Sequence, residues 1–183
     1  CSLIYQDGVL ETAVTRGDSY IGEDITSNAR TIKSIPLKLS SFIKQTDFLL
    51  AGRTEVRGEI VMLKKDFDAL NKIQRKNKEP EFANPRNLAA GTIRQLDPSL
   101  VASRPLQFRA YDLIYENSAL IPSNNLAYTF LTEIGFIRNK EIGVFENTTK
   151  LIDFINIWNE KRNDLPFNTD GVAIKINNRE QFN

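Results

Sequence analysis

Thr54-Glu55-Val56-Arg57-Gly58-Glu59-Ile60-Val61-Met62 alternates charged residues with apolar or small ones. A period of two is that of a β-strand, whose successive side chains point to opposite faces. The pattern predicts a strand with Glu55, Arg57 and Glu59 on one face and Val56, Gly58 and Ile60 on the other. Charged residues on such a strand usually face water, on the open side of a sheet packed on one face only.

On the C-terminal side, Lys65 to Lys76 reads as a helix with Phe67, Leu70 and Ile73 as its apolar stripe, followed by a solvated loop to Pro80. The run Phe82-Ala83-Asn84-Pro85-Arg86-Asn87-Leu88-Ala89-Ala90-Gly91-Thr92-Ile93-Arg94-Gln95-Leu96-Asp97-Pro98 comes next. Asn84-Pro85 favours a turn, because a residue before proline is pushed out of the helical region. Asn87 is the expected cap of a helix from Leu88 to Leu96, ended by Asp97-Pro98. Arg86 and Arg94 bracket that helix, and Ala89, Ala90 and Gly91 let a partner approach its backbone. Read locally, this is either a surface helix packed by its alanines or an arginine-flanked helix start that faces phosphates.

Leu106 to Tyr115 is the next expected strand, with Phe108, Ala110, Asp112 and Ile114 on one face and Arg109, Tyr111 and Leu113 on the other. Asn125 to Ile134 reads as an amphipathic helix stopped by Gly135, and Phe136-Ile137 as the start of a short strand. Thr148 to Arg162 reads as a helix capped by Asn147 or Thr148, with Leu151, Ile152, Phe154, Ile155 and Trp158 as a core face and Asp164-Leu165-Pro166 as its end. Thr169 to Asn177 is expected to be a last strand. Val172, Ile174 and Ile176 point into the core, and Gly171, Ala173 and Lys175 form a flat face with a cation at its edge.

On the N-terminal side, Ser2 to Tyr5 and Val9 to Thr15 flank Asp7-Gly8, a strong hairpin signal because both turn residues tolerate positive φ. Residues 15–32 read as a loop leading into a short helix capped by Asp24 or Thr26. Ser34 to Asp47 is irregular, and Phe48 to Leu50 is expected to be a short strand. An ordered domain rarely begins inside a hairpin, so the chain is expected to be a piece of a longer one.

Composition limits the chemistry. Hydrophobic residues make up 41% and charged residues 26%, ordinary values for a globular protein, and no apolar run approaches the ~20 residues that span a bilayer. A lone cysteine, Cys1, leaves no intrachain disulfide and no zinc cluster, which fits a reducing compartment. With no histidine, Ser–His and Cys–His pairs and histidine-bound metals are excluded from this chain. The net charge of +1 means that any nucleic-acid role needs cations gathered on one face. Arg16, Glu59, Lys175 and Tyr111 stand out together. Each taken singly is an ordinary exposed charge or half-buried ring; jointly a carboxylate, two cations and an aromatic ring suit a nucleotide.

Thr15-Arg16-Gly17-Asp18, Gly22-Glu23-Asp24-Ile25-Thr26, Asn28 and Arg30-Thr31-Ile32 resemble a signature of bacterial NAD-dependent DNA ligases. So do Glu55-Val56-Arg57-Gly58-Glu59, Phe82 to Asn87, Arg94 to Pro98 and Asp170-Gly171-Val172-Ala173-Ile174-Lys175, all in the family's order. The Phe82–Asn87 motif and its arginine helix separate this family from ATP-dependent ligases and capping enzymes of the same fold.

The resemblance implies an α+β fold. It is the covalent nucleotidyltransferase (ATP-grasp-like) core, built of twisted, mainly antiparallel sheets with flanking helices. Residues 1–183 would be the central part of the adenylation domain, truncated at both ends. It also implies that a lysine takes AMP from NAD with Mg2+ assisting, that AMP passes to the 5′-phosphate of a nick in double-stranded DNA, and that the 3′-hydroxyl seals it. Carried over by motif, Arg16 contacts the adenylate, Glu59 the ribose hydroxyls and Lys175 the phosphate. Tyr111 stacks on adenine, and Asp170 supports the phosphate end or the metal. Arg86, Arg94 and Arg162 meet the DNA backbone. The implied setting is DNA replication and repair, by a cytoplasmic, nucleoid-associated monomer away from any membrane.

The chain departs from the family in lacking the Lys-x-Asp-Gly nucleophile motif, expected upstream of Cys1. No catalytic nucleophile is therefore assigned here, and the chain alone is expected not to adenylate itself. Ser19, Leu88 and Ala173 stand where glycine, alanine and valine are usual. The alternative is a nucleotide- or DNA-binding module, derived from a nucleotidyltransferase, that has lost catalysis.

Overall fold

A computed structural model describes residues 1–17 and 21–181; Asp18 and Ser19 of the first signature lie outside the described residues. The architecture is α+β, with one antiparallel four-stranded sheet and flanking helices. Strands β1 (Ser2–Gln6) and β2 (Val9–Val14) form the expected hairpin, with Asp7 at φ 50° and Gly8 at φ 74° in its turn. Strands β3 (Arg53–Met62) and β4 (Leu106–Tyr115) complete the order β2-β1-β3-β4.

One face of the sheet is dry. Leu3, Tyr5, Val56, Phe108 and Leu113 are fully buried in it. They share a core with Ala29 of α1 (Thr26–Ala29), Ala89 and Ile93 of α3 (Pro85–Ile93), Val101 of α4 (Pro98–Ala102) and Leu131 of α5 (Asn124–Glu133). Burial of this apolar surface, at about 25 cal/mol per Å2, is the main force holding sheet to helices. Gly58 makes the closest approach: a Cβ there would lie 2.3 Å from the Phe108 ring and 2.6 Å from the Arg109 carbonyl oxygen.

The expected faces of β3 hold, but those of β4 do not. Arg57 pairs with Asp112 and Gly58 with Ala110, so Tyr111 has no partner across the ladder. This is a β-bulge, one extra residue that shifts the phase of everything after it. Leu113 therefore joins Phe108 and Ala110 on the buried side, apart from the face expected for it, and Asp112 joins Tyr111 and Arg57 on the polar side.

Other elements also differ from expectation. Asn84 rather than Asn87 caps α3, accepting from the Asn87 amide at 2.8 Å, and Pro85 occupies the first helical position. Asp97 both follows α3 and caps α4, accepting from the Ser99 amide. Phe48 to Leu50 is the end of a 3-10 turn spanning Lys44–Leu50, not a strand. Phe136-Ile137 starts no strand; the segment makes a single parallel bridge, Ala110 to Arg138. Helix α2 (Lys64–Asn77) forms as expected, but Ile73 of its apolar stripe is 53% exposed.

Two corrections concern the C-terminal part. Helix α6 (Thr148–Lys161) is capped by Asn147 as expected, yet none of its residues is buried. Its apolar stripe packs only locally, Phe154 against Phe145 and Trp158. Thr169 to Asn177 is not a strand, and Val172, Ile174 and Ile176 are exposed rather than in the core. Among the described residues no backbone hydrogen bond reaches residues 171–175, and a strand needs a ladder.

Candidate functional site

The polar face of the sheet carries the candidate residues. Glu59 of β3 is exposed, and its carboxylate has no hydrogen-bond or ion-pair partner among the described residues. On the adjacent strand the bulge turns the Tyr111 ring out to 38% exposure. Burial first, then the Glu59 carboxylate, pushes the Tyr111 phenol above its ordinary value. Arg57 opposes this, Asp112 adds to it and Arg16 opposes it. Glu59, Arg57, Asp112 and Arg16 thus all lie within electrostatic reach of that ring.

Arg16 stands where β2 ends, on a loop whose neck is closed by Thr15. The Thr15 amide donates to the Glu23 carbonyl, and the Thr15 hydroxyl accepts from the Glu23 amide, both at 3.0 Å. Lys175 arrives from the C-terminal segment. Its ammonium lies 5.6 Å from the Tyr111 ring centroid and 3.6 Å from Oδ2 of Asp112. The structure therefore brings Arg16, Glu59, Tyr111 and Lys175 to one place.

Asp170 and Arg86 lie beside them. Their side chains pair at 2.5 Å, and both line a cavity of about 230 Å3 with Glu59, Pro85, Phe167 and Asn168. Arg94 is at the opposite end of α3, paired with Glu23 at 3.0 Å. Arg162 is apart from both, exposed in the 3-10 turn after α6, with no side-chain ion pair among the described residues.

Much of the Phe82–Pro98 signature serves to place α3. The Asn28 amide donates to the carbonyls of Ile93 and Gln95, both at 2.7 Å, and so closes the helix C-terminus from α1. Asn71 of α2 donates to the Phe82 carbonyl and accepts from the Phe82 amide, imitating one rung of a sheet. Arg104 donates to the Thr92 hydroxyl and lies over the Phe82 ring. Leu88, a departure from the signature, is buried in the core.

Two residues beside the site were not picked out from the sequence. Asp112 accepts from Arg179 through Oδ1, while Oδ2 faces Lys175. Arg179 also donates to the Leu113 carbonyl at 2.7 Å and to Asn124 at 3.1 Å. An acid on the same expected face as Phe108, Ala110 and Ile114 was the available signal, since unpaired acids are rarely buried. On the other flank Glu55 accepts from the Ser2 hydroxyl, Arg57 and Arg53. Burial raises the Glu55 carboxyl, but the Ser2 and Arg57 hydrogen bonds outweigh it and leave the group below its ordinary value.

Chemically, the set offers a ring to stack on a base, an open carboxylate to accept from two vicinal hydroxyls, and Arg16, Arg57 and Lys175 to meet phosphate charge. That donor set fits the adenylate half of a dinucleotide. It does not make a metal cage: among the described residues no three His, Cys, Asp or Glu side chains gather to hold an ion.

The comparisons agree with this chemistry. The family model described as the NAD-dependent DNA ligase adenylation domain matches residues 1–183. A protein named DNA ligase from Oceanobacillus iheyensis is 45% identical over 98% of this chain and 26% of its own length. DNA ligases from Syntrophomonas wolfei and Halalkalibacterium halodurans are 42% and 43% identical, over 96% and 97% of this chain and 25% of each relative. The chain spans about a quarter of the length of the curated relatives it matches.

Proposed function

The chain belongs to the NAD-dependent DNA ligase adenylation domain family, and from that premise we propose that it supplies the adenylate-binding face of an enzyme that seals nicks in duplex DNA. The observation that carries this reading is the clustering of an unpaired Glu59 carboxylate, the outward Tyr111 ring and the Lys175 ammonium on one sheet face. The sheet is then the core of the covalent nucleotidyltransferase (ATP-grasp-like) fold, with residues 1–183 the central part of the domain.

In this reading Tyr111 stacks on adenine, and Glu59 accepts from the ribose hydroxyls. Lys175 and Arg16 face the phosphates, where charge develops as AMP leaves NAD for a lysine amine. Asp170, held by Arg86, borders the phosphate end. Arg86, Arg94 and Arg162 meet the DNA backbone near the nick, each as a phosphate contact without base preference. Magnesium, for which no three acidic side chains gather among the described residues, would arrive with the phosphates. The enzyme acts as a monomer on chromosomal DNA in the cytoplasm, in replication and repair. No helix among the described residues is long and apolar enough to cross a membrane.

The chain contains no Lys-x-Asp-Gly, so the amine that takes AMP is not assigned to it. The test is intact-mass measurement after incubation with NAD and magnesium. A protein of the relatives' length that contains this chain gains one AMP and loses it to nicked DNA, while the isolated chain gains none. Binding of NAD without any adduct on the long protein would support a non-catalytic nucleotide-binding module instead, and charging by ATP but not NAD would overturn the cosubstrate.

A further inference from the structure

Lys175 is held by a charged partner, Asp112, beside the Tyr111 ring. It extends from a segment with no ladder on either side, since residues 171–175 make no backbone hydrogen bond among the described residues. A lysine on such a segment has a long stem and free rotamers, and about 2 kcal/mol of side-chain entropy opposes any single placement. Its ammonium is nonetheless placed, over Tyr111 and 3.6 Å from Oδ2 of Asp112.

Asp112 is itself rigidly held. The bulge at Tyr111 turns it to the polar face, its Oδ1 accepts from the Leu113 amide at 2.9 Å, and Arg179 donates to the same oxygen. The side chains of Asp112 and Arg179 are each 19% exposed, and that of Lys175 is 29% exposed. The carboxylate is thus shared, with one oxygen turned to Arg179 and the backbone and the other to Lys175. Because Arg179 balances the Asp112 charge, the trio keeps one net positive charge, that of Lys175. An acid beside an anion site normally repels the anion; here its charge is already matched, so it orients the lysine without cancelling it.

We infer that Asp112 is a positioning residue that sets Lys175 for adenylyl transfer, with Arg179 as its counter-charge. The inference rests on the reading of Lys175 as a phosphate contact. It predicts that the Asp112 charge matters for the rate of transfer through Lys175 and not for holding the nucleotide.

The test uses the protein of the relatives' length with NAD, with AMP as the binding probe. Asp112→Asn keeps an oxygen that accepts from Arg179 and the Leu113 amide, and it replaces the oxygen that faces Lys175 with an amide NH2, which removes the charge and that acceptor. It should lower the single-turnover rate of AMP adduct formation about tenfold, with calorimetric AMP affinity unchanged within threefold or tightened. In a Lys175→Met background the same substitution should change the rate less than twofold, because the residue it acts through is gone. Asp112→Glu, which keeps the charge at a longer reach, should recover part of the rate. Equal losses in both backgrounds, or AMP affinity falling in step with the rate, overturn the inference and leave Asp112 a structural tie between β4 and the C-terminal segment. Wild-type protein that forms no adduct with NAD overturns the underlying function instead.

Discussion

The loop and helix from Phe82 to Asp97 and the segment from Phe167 to Arg179 both carry signature residues, yet they are held in opposite ways. The first is fastened along its length: Asn71 holds Phe82, Asn84 caps α3, Arg104 holds Thr92 and Asn28 closes the helix end. The second is fastened at its ends. Phe167 is buried beneath the Arg109 guanidinium, and Asn177 meets the first amides of α5 through its carbonyl and side-chain oxygens. Between these points the chain is largely exposed, and Lys175 reaches its place through Asp112 and the Tyr111 ring. Membership of a signature therefore does not say what a residue does. The asparagines of the first region build a platform, and the lysine of the second presents charge.

The largest expected effects break that comparison in two directions. Lys175→Ala, in the protein of the relatives' length, should lower AMP adduct formation about 100-fold or more, as loss of one preorganised transition-state contact does. Its urea midpoint should stay within the small range of an ordinary surface substitution. Asn28→Ala should do the reverse. It strips the carbonyls of Ile93 and Gln95 of their donor and should cost about 2–3 kcal/mol in urea unfolding, with the folded protein still charging at a rate within about threefold of wild type. If Asn28→Ala abolished charging at full stability, the distinction between platform and presented charge would be lost.

The sequence made some of this legible and hid the rest for physical reasons. Alternation disclosed β3 and its two faces, and Asp7-Gly8 disclosed the hairpin, because both signals are local. The bulge in β4 changes the phase without changing the composition, so the grouping of Asp112 with Phe108 and Ala110 was a false extrapolation of a correct period. Two asparagines flank Pro85, and the preference of proline for the first helical position would have chosen Asn84 as cap. For α6 and residues 169–177, periodicity picked out an apolar stripe but could not say whether anything covers it, and residues 169–177 form no strand. The pairing of Asp112 with Arg179 joins positions 67 apart, beyond the reach of any local pattern. The roles given to Glu59, Tyr111 and Lys175 came from the resemblance; the structure adds that they are neighbours.

A middle-sized effect extends the comparison to the strand beneath the site. Glu55 is held on β3 by Ser2, Arg57 and Arg53 much as the asparagines hold α3, but through charge. Its folded-state carboxyl lies below the ordinary value of about 4.3, so its stabilisation is fully present above that pH and is lost as pH falls through the lower folded value. Glu55→Gln should therefore cost about 1 kcal/mol at pH 7, with the two partner arginines half exposed and screened. Thermal melts of wild type and variant should converge as pH is lowered below the usual glutamate range. A gap that persisted in acid would mean that shape rather than charge holds this site.

The smallest effect concerns the one direct tie between the two regions, Arg86 of α3 to Asp170 of the C-terminal segment. At 2.5 Å it is short, yet the two side chains are 69% and 77% exposed. Water and salt screen such a pair, and the cost of ordering two flexible side chains offsets most of its attraction. A double-mutant cycle of Arg86→Ala and Asp170→Ala should yield a coupling of about 0.2–1 kcal/mol in urea unfolding, shrinking further in 1 M salt. Phe167, at 6% exposure, should hold the segment more firmly, and Phe167→Ala should cost several times that coupling. A coupling well above 1 kcal/mol that survives high salt would mean that the segment is clamped to α3 by charge. The contrast between a fastened platform and a strap tied only at its ends would then have to be redrawn.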